Sequence, residues 1–197
     1  MRTIVKVVLL LMLFSPLACA QSPVMAGVAP VLEAGIGYSY VDGSVPGESG
    51  LGMNGVQALG NADFSRRFGI ALNLGYARNF NAFGSGHTAD LLTYMAGPVF
   101  YPVRKRNLNV YTQLLLGGAR ETGVNFESNG QIVLGYVNRF AWAGGAGFQY
   151  RLSRSFSVRI GADYLRSSFF NSSVVVAGQS NLRPSVSLIY SFGEGRE

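Results

Sequence analysis

Apolar residues that recur at every second position are the feature of this sequence that most restricts its fold. Between Phe68 and Tyr76 the even-numbered residues are large and apolar, and those between them are glycine, alanine or asparagine. A similar alternation returns at 156–164 and 182–192. A period of two places successive side chains on opposite faces of a β-strand. The chain is therefore predicted to consist of strands that each carry one apolar face.

Eight segments of this kind follow one another along the chain, and their apolar residues fall on even-numbered positions in nearly all of them. Each segment is about ten or more residues long, which is the length that a tilted strand needs to cross a bilayer. The predicted strands are 31–41, 52–64, 68–80, 89–102, 108–121, 136–151, 156–168 and 180–192.

The connections between these strands alternate between short polar turns, at 65–67, 104–107 and 152–155, and longer links. Short turns at one end and longer loops at the other are the plan of an outer-membrane barrel, whose turns face the periplasm. The sequence therefore predicts an all-β fold, an eight-stranded antiparallel transmembrane up-and-down β-barrel. The longer links are 42–51, 81–88, 122–135 and 169–179.

The first twenty residues have the pattern of a secretory signal peptide. Two positive charges precede a short apolar run, and small residues end the segment at Ala18-Cys19-Ala20. We expect cleavage between Ala20 and Gln21, which removes the one cysteine; lipidation of Cys19 and an uncleaved membrane anchor are the alternatives. The rest of the chain then comprises a short periplasmic segment at 21–30, the barrel at 31–192 and a tail at 193–197.

The composition agrees with a membrane location. Charged residues are 13% of the sequence and hydrophobic residues 48%, whereas a soluble domain carries about a quarter charged residues. Loss of the two signal-peptide cations lowers the formal net charge from +6 to +4. The remaining basic residues are scattered among turns and strand ends, so we expect no nucleic-acid partner.

The odd-numbered positions are expected to fill the interior of the barrel, because the apolar set faces lipid. Charged and amide side chains occur among them, which suits a polar lumen in which charges are paired. We expect Glu33 on the first strand and Arg183 on the last to be neighbours where the barrel closes. A salt-bridge gate and a static polar plug are the two interpretations of this network. Its predicted members are Glu33, Gln113, Arg159, Asp163 and Arg183.

Three arginines occupy even, outward positions near the expected outer ends of their strands: Arg78, Arg120 and Arg166. Lipopolysaccharide carries phosphates at that depth, and the arginine fork matches phosphate geometry. Contact with lipopolysaccharide is therefore one interpretation, and ordinary snorkelling at the membrane interface is the other.

His87 is the single histidine, and Ser85 and Asp90 lie close to it in sequence. A nucleophile, a base and an orienting acid are the parts of a hydrolase triad. Closeness in sequence does not establish triad geometry, however, and we predict no catalytic residue. No group of His, Cys, Asp and Glu has metal-ligand spacing, and no metal or cofactor is predicted.

The segment Gly178–Phe192 resembles the last strand of small OmpA-like outer-membrane barrel proteins, and so does the segment YMAGPVFYP at 94–102. The ending Tyr190-Ser191-Phe192 is similar to the aromatic signal that the barrel assembly machinery reads. This resemblance spans 31–192 and implies an outer-membrane location and assembly by that machinery through the C-terminal strand. We expect no peptidoglycan-binding domain after the barrel, which is a departure from the family pattern. The five residues that follow Phe192 depart from the family pattern.

The expected function is that of a non-enzymatic, monomeric outer-membrane barrel with a structural or surface-interaction role. Side chains fill the lumen of an eight-stranded barrel, so free diffusion of solutes is not expected. Two alternatives remain: a barrel hydrolase that uses His87, and a soluble lipocalin-like periplasmic carrier with an apolar lumen.

Overall fold

In the computed structural model the chain forms a closed barrel of eight antiparallel strands, each paired with its neighbours in chain order. This confirms the predicted fold class. The structure describes residues 31–44, 51–82, 86–126, 132–171 and 176–192. The strands are β1 (Val31–Ser44), β2 (Leu51–Asp63), β3 (Phe68–Asn79), β4 (Ala89–Arg104), β5 (Leu108–Phe126), β6 (Ile132–Arg151), β7 (Phe156–Asn171) and β8 (Val176–Phe192).

The two faces of the barrel wall follow the sequence alternation. On β3, the outward Leu72 and Leu74 are 56% and 58% exposed, while Asn73 between them is 2% exposed. This apolar outer surface and polar interior are the arrangement of a membrane barrel and the reverse of a soluble carrier. Among the described residues, no helix is long and apolar enough to cross a membrane.

The two ends of the barrel differ. The turn end carries the three short connections, the first residue of β1 and the last residue of β8. Serines close two of these turns: Ser65 Oγ accepts from the Phe68 N–H at 2.9 Å, and Ser153 Oγ accepts from the Phe156 N–H at 3.1 Å. The opposite end, called the loop end, carries the longer connections. The expected signal peptide, the segment at 21–30 and the tail lie outside the described residues.

Pro98 and Pro184 lie inside strands, where a proline removes a ladder hydrogen bond, but the strand register does not shift at either of them. Pro98 lies opposite Ile70 and Pro184 opposite Ala162 in continuous ladders on one side. On their other sides, the β4–β5 and β1–β8 pairs skip the prolines and resume in the same register. The shift in β4 comes later, between Phe100 and Val103.

The β5–β6 hairpin extends further toward the loop end than predicted. Its ladder continues to the pair Phe126–Ile132, whereas the pairing of β6 with β7 stops at Ala141–Ser167. Within the described ranges, the last residues of β7 pair with β8 alone, through Phe170–Ala177 and Asn171–Val176. A backbone edge of β6 at 132–140 is therefore unpaired on its β7 side within the described residues.

Candidate functional site

A cluster of polar side chains fills the lumen near the turn end. Glu33 is its centre: it accepts hydrogen bonds from Gln149 at 3.0 Å, Ser191 at 3.1 Å and Asn61 at 3.2 Å. Arg159 lies 3.5 Å from the Glu33 carboxylate and donates to Gln149 Oε1 at 2.8 Å. The buried charges of this turn-end cluster are thus both paired and hydrogen-bonded, which is what burial of an ion pair requires.

A second cluster lies in the middle of the barrel around Arg183. Its guanidinium donates to Asp163 Oδ2 at 2.8 Å, to Asn73 Oδ1 at 3.1 Å and to Thr93 Oγ1 at 3.3 Å. Gln113 completes the set by donating to Asp163 Oδ1 at 2.7 Å. We call this group the mid-barrel cluster. The structure therefore distributes the five predicted network residues over two clusters.

The prediction that Glu33 and Arg183 are neighbours is wrong. Glu33 faces Ser191 across the β1–β8 closure, and Arg183 precedes Ser191 by eight residues. At roughly 3.3 Å per residue along a strand, this separation is about 26 Å. The two residues lie on adjacent strands, because the first and last strands pair where the barrel closes. The antiparallel register nevertheless places them at different positions along the barrel axis. Arg183 pairs with Asp163 on β7 instead.

Further amide side chains extend the hydrogen bonding of the lumen beyond the five predicted network residues. Gln57 donates to Ser187 Oγ at 2.9 Å and accepts from Asn73 at 3.2 Å. Three other lumen amides also occupy odd-numbered strand positions: Asn61, Asn73 and Gln149. Their burial in the lumen agrees with the prediction that odd-numbered residues face the interior.

A third ion pair, between Arg104 and Asp63, was also missed. The register shift after Phe100 turns Val103 outward and Arg104 inward. Arg104 then hydrogen-bonds the Asp63 carboxylate and lies over the Tyr101 ring, 4.0 Å from its centroid. Arg104 was predicted to lie in a short turn, so the alternation gave no direction for its side chain. The strand in fact continues to Arg104, and the bulge turns this side chain inward.

An apolar layer closes the lumen between the mid-barrel cluster and the loop end. Val41, Met53, Leu91 and Leu165 are each at most 3% exposed and belong to one buried cluster. Glu121 is a polar member of the same part of the lumen, and its Oε2 atom has no hydrogen-bond partner among the described residues. By contrast, the turn end opens into a cavity of about 900 Å³. The described lumen is thus filled in its middle and open at one end.

The three outward arginines do not share one environment. Arg78 forms a two-point ion pair with Asp90, at 2.6 and 2.9 Å, so its fork is already occupied. Arg120 is exposed and lies over the Tyr136 ring, 4.7 Å from its centroid. Arg166 is also exposed. Whether any of the three binds lipopolysaccharide stays a prediction.

The residues of the hypothetical triad give little support to hydrolase chemistry. His87 is exposed near the loop end, and Ser85 lies outside the described residues. Both oxygens of Asp90 accept bonds from Arg78, so this carboxylate is committed to another partner. Among the residues that the structure describes, no group of His, Cys, Asp and Glu could hold a metal ion.

A closed eight-stranded barrel with an apolar outer wall and a polar, ion-paired lumen defines a transmembrane β-barrel protein. The chain belongs to the outer membrane protein beta-barrel domain family, whose sequence model matches residues 7–190. It is therefore a protein of the bacterial outer membrane, and the short turns of such barrels face the periplasm. Comparison with curated proteins gives no match.

Several solved structures share this fold. Ail, the attachment invasion locus protein of Yersinia pestis, solved with the heparin analogue sucrose octasulfate, has 19% identity and a TM-score of 0.59, over 84% of this chain and 100% of Ail. Neisserial surface protein A has 10% identity and a TM-score of 0.62, over 82% of this chain and 97% of its own. OprG from Pseudomonas aeruginosa has 16% identity and a TM-score of 0.52, over 84% and 97%. At these identities the likeness establishes the fold alone.

Proposed function

We propose that this protein is a non-enzymatic surface-interaction protein of the outer membrane, which binds an extended peptide strand of another protein at its loop end. The observation that carries the proposal is the backbone edge of β6 at 132–140, on the loop-end side of the pair Ala141–Ser167. This edge has no strand partner on its β7 side among the described residues. An exposed strand edge is a ready template for strand addition, in which main-chain hydrogen bonds supply affinity. The other expected role, structural support of the envelope, needs no such edge.

The free donors of this edge follow from the strand geometry. The Arg151 N–H donates to Asn107 O at 2.9 Å, so odd-numbered residues of β6 direct their N–H groups toward β5. Backbone groups alternate in direction along a strand, and even-numbered residues therefore direct theirs to the open side. Asn138 and Phe140 are two of these residues.

The side chains along the edge also suit a partner. Tyr136 and Phe140 are each 65% exposed, and Asn138 and Arg139 are exposed between them. Exposed aromatic residues beside a basic residue are typical of the anchor positions of protein interfaces. The occupied Asp90 carboxylate supports the non-enzymatic part of the proposal, and the filled middle of the lumen supports a plug rather than a pore.

A proline at the edge tests this function. Proline at position 138 removes one free N–H and leaves the β5–β6 ladder intact, because prolines are tolerated on edge strands. A displayed library of extended peptides would be selected against the barrel in nanodiscs, and the enriched peptides measured on N138P and on the control N138A. We expect N138A to bind the peptides as strongly as the original chain does. Binding to N138P should fall about tenfold or more, because the proline removes a main-chain hydrogen bond and distorts the edge. Peptides that bind N138P equally well would contradict the proposal, as would a selection that enriches none.

A further inference from the structure

Basic residues are concentrated at the turn end of the barrel. Of the 13 lysines and arginines in the described ranges, seven lie in the three short turns or at the strand ends beside them. We call these seven the basic collar. They are Arg66, Arg67, Arg104, Lys105, Arg106, Arg151 and Arg154.

In the part of the chain that the structure describes, too few acidic side chains lie at this end to neutralise the collar. Among the described residues, the acidic side chains at this end are Glu33 and Asp63, and their ion pairs are with Arg159 and Arg104. The other six collar cations take part in none of the four ion pairs of the described chain. Five of these six line the open cavity of about 900 Å³ at the turn end. The turn end therefore presents a surplus of positive charge.

Apolar side chains fix the depth of this charge in the membrane. Phe64 and Phe68, each 58% exposed, stand on either side of the first short turn. Leu152 and Phe156, which are 60% and 44% exposed, lie in the same way on either side of Arg154 in the third short turn. Outward aromatic residues form the interfacial girdle of a membrane barrel. The collar, which lies directly beside this girdle, is thus at the level of the lipid headgroups of the periplasmic leaflet.

We propose that the basic collar binds the headgroups of anionic phospholipids in the periplasmic leaflet. Arginine forks match phosphate oxygens, and lysine adds a point charge. All phospholipids carry the phosphate, but zwitterionic headgroups also carry a cation that the collar repels. Lipids whose only headgroup charge is negative, such as phosphatidylglycerol, are therefore selected.

Native mass spectrometry of the delipidated full barrel in detergent tests this selection. The probes are phosphatidylglycerol, phosphatidylcholine and the soluble headgroup glycerophosphoglycerol. The collar variant R66Q/K105Q/R106Q/R154Q removes four exposed charges, and R66K/R106K/R154K keeps the charge at three of those positions. Arg139→Gln, at the loop end, is the control for loss of a distant cation. Heat-dependent gel migration verifies that each variant is folded.

We expect the original chain to bind phosphatidylglycerol about tenfold more strongly than phosphatidylcholine, and the collar variant to lose about that factor. The lysine variant and R139Q should keep the preference, and raising the salt concentration should weaken it. Equal binding of the two lipids by the original chain would overturn the proposal, and so would an unchanged preference in the collar variant. Binding of glycerophosphoglycerol as strong as that of the lipid would overturn it too, because a soluble periplasmic anion would then be the ligand.

Discussion

Arg183 and Asp163 face each other on β8 and β7, with 2.8 Å between the guanidinium Nη2 and the carboxylate Oδ2. Both side chains are buried in the middle of the lumen. Asn73, Thr93 and Gln113 supply the remaining hydrogen bonds around the pair. This arrangement makes the pair the core of the proposed plug.

Removal of the cation alone should be costly. The variant R183M leaves the Asp163 carboxylate buried without its counter-charge, and we expect the free energy of unfolding to fall by about 3–5 kcal/mol. Urea unfolding in lipid vesicles, followed by the gel shift of the folded barrel, measures this change.

The double variant R183M/D163L is the matched control. Replacing both partners of a buried pair by apolar side chains is often neutral, so we expect it to regain most of the lost stability. A double variant less stable than R183M would contradict the pairing of these two residues.

Two adjacent glycines on β6 allow a second test of the lumen geometry. A Cβ at Gly145 would collide with Asp163 Oδ1, whereas a Cβ at Gly144 meets only Trp142 Cζ3, at 3.7 Å. We expect Gly145→Ala to lower the free energy of unfolding by about 1–3 kcal/mol through overpacking. Gly144→Ala should leave it within about 0.5 kcal/mol, as for surface substitutions. Equal effects of the two alanines in urea unfolding would show that the interior is not packed around Asp163.

Planar-bilayer recordings test the closed lumen. The original chain should give no steady conductance, because two polar clusters and an apolar layer fill the middle of the barrel. The variant R159A/R183A removes the largest charged side chains of both clusters and should show conductance steps if it remains folded. Reproducible steps from the original chain would favour a pore over a plug.

Lipopolysaccharide binding should depend on Arg120 and Arg166 more than on Arg78. The Arg78 fork is held by Asp90, while the other two side chains are exposed. We expect R120Q/R166Q to reduce the rise in Tm that added lipopolysaccharide produces, and R78Q to reduce it less. Thermal unfolding with and without lipopolysaccharide provides the measurement, and an equal or larger loss in R78Q would contradict this ranking.

The strand count and the lipid face could be predicted because both depend on a local period of two. The place of Asn73 between Leu72 and Leu74 in the sequence is enough to predict that its side chain points into the lumen. Side-chain partners could not be predicted in the same way, since register is a property of two strands. Glu33 and Arg183 illustrate this, and so does Arg104, whose direction depends on a bulge. The unpaired edge of β6 also escaped prediction, because it depends on where the β6–β7 ladder ends.

Apart from the residues after the β4 bulge, even-numbered strand residues face lipid and odd-numbered ones face a packed interior. Single spin labels at positions 70–76 on β3 test this alternation in the barrel reconstituted in vesicles. The measurement is the accessibility of each label to oxygen and to a water-soluble nickel reagent. We predict high oxygen accessibility and low nickel accessibility at positions 70, 72, 74 and 76, and low values of both at 71, 73 and 75. High nickel accessibility at the even positions, or no alternation along β3, would contradict the membrane barrel.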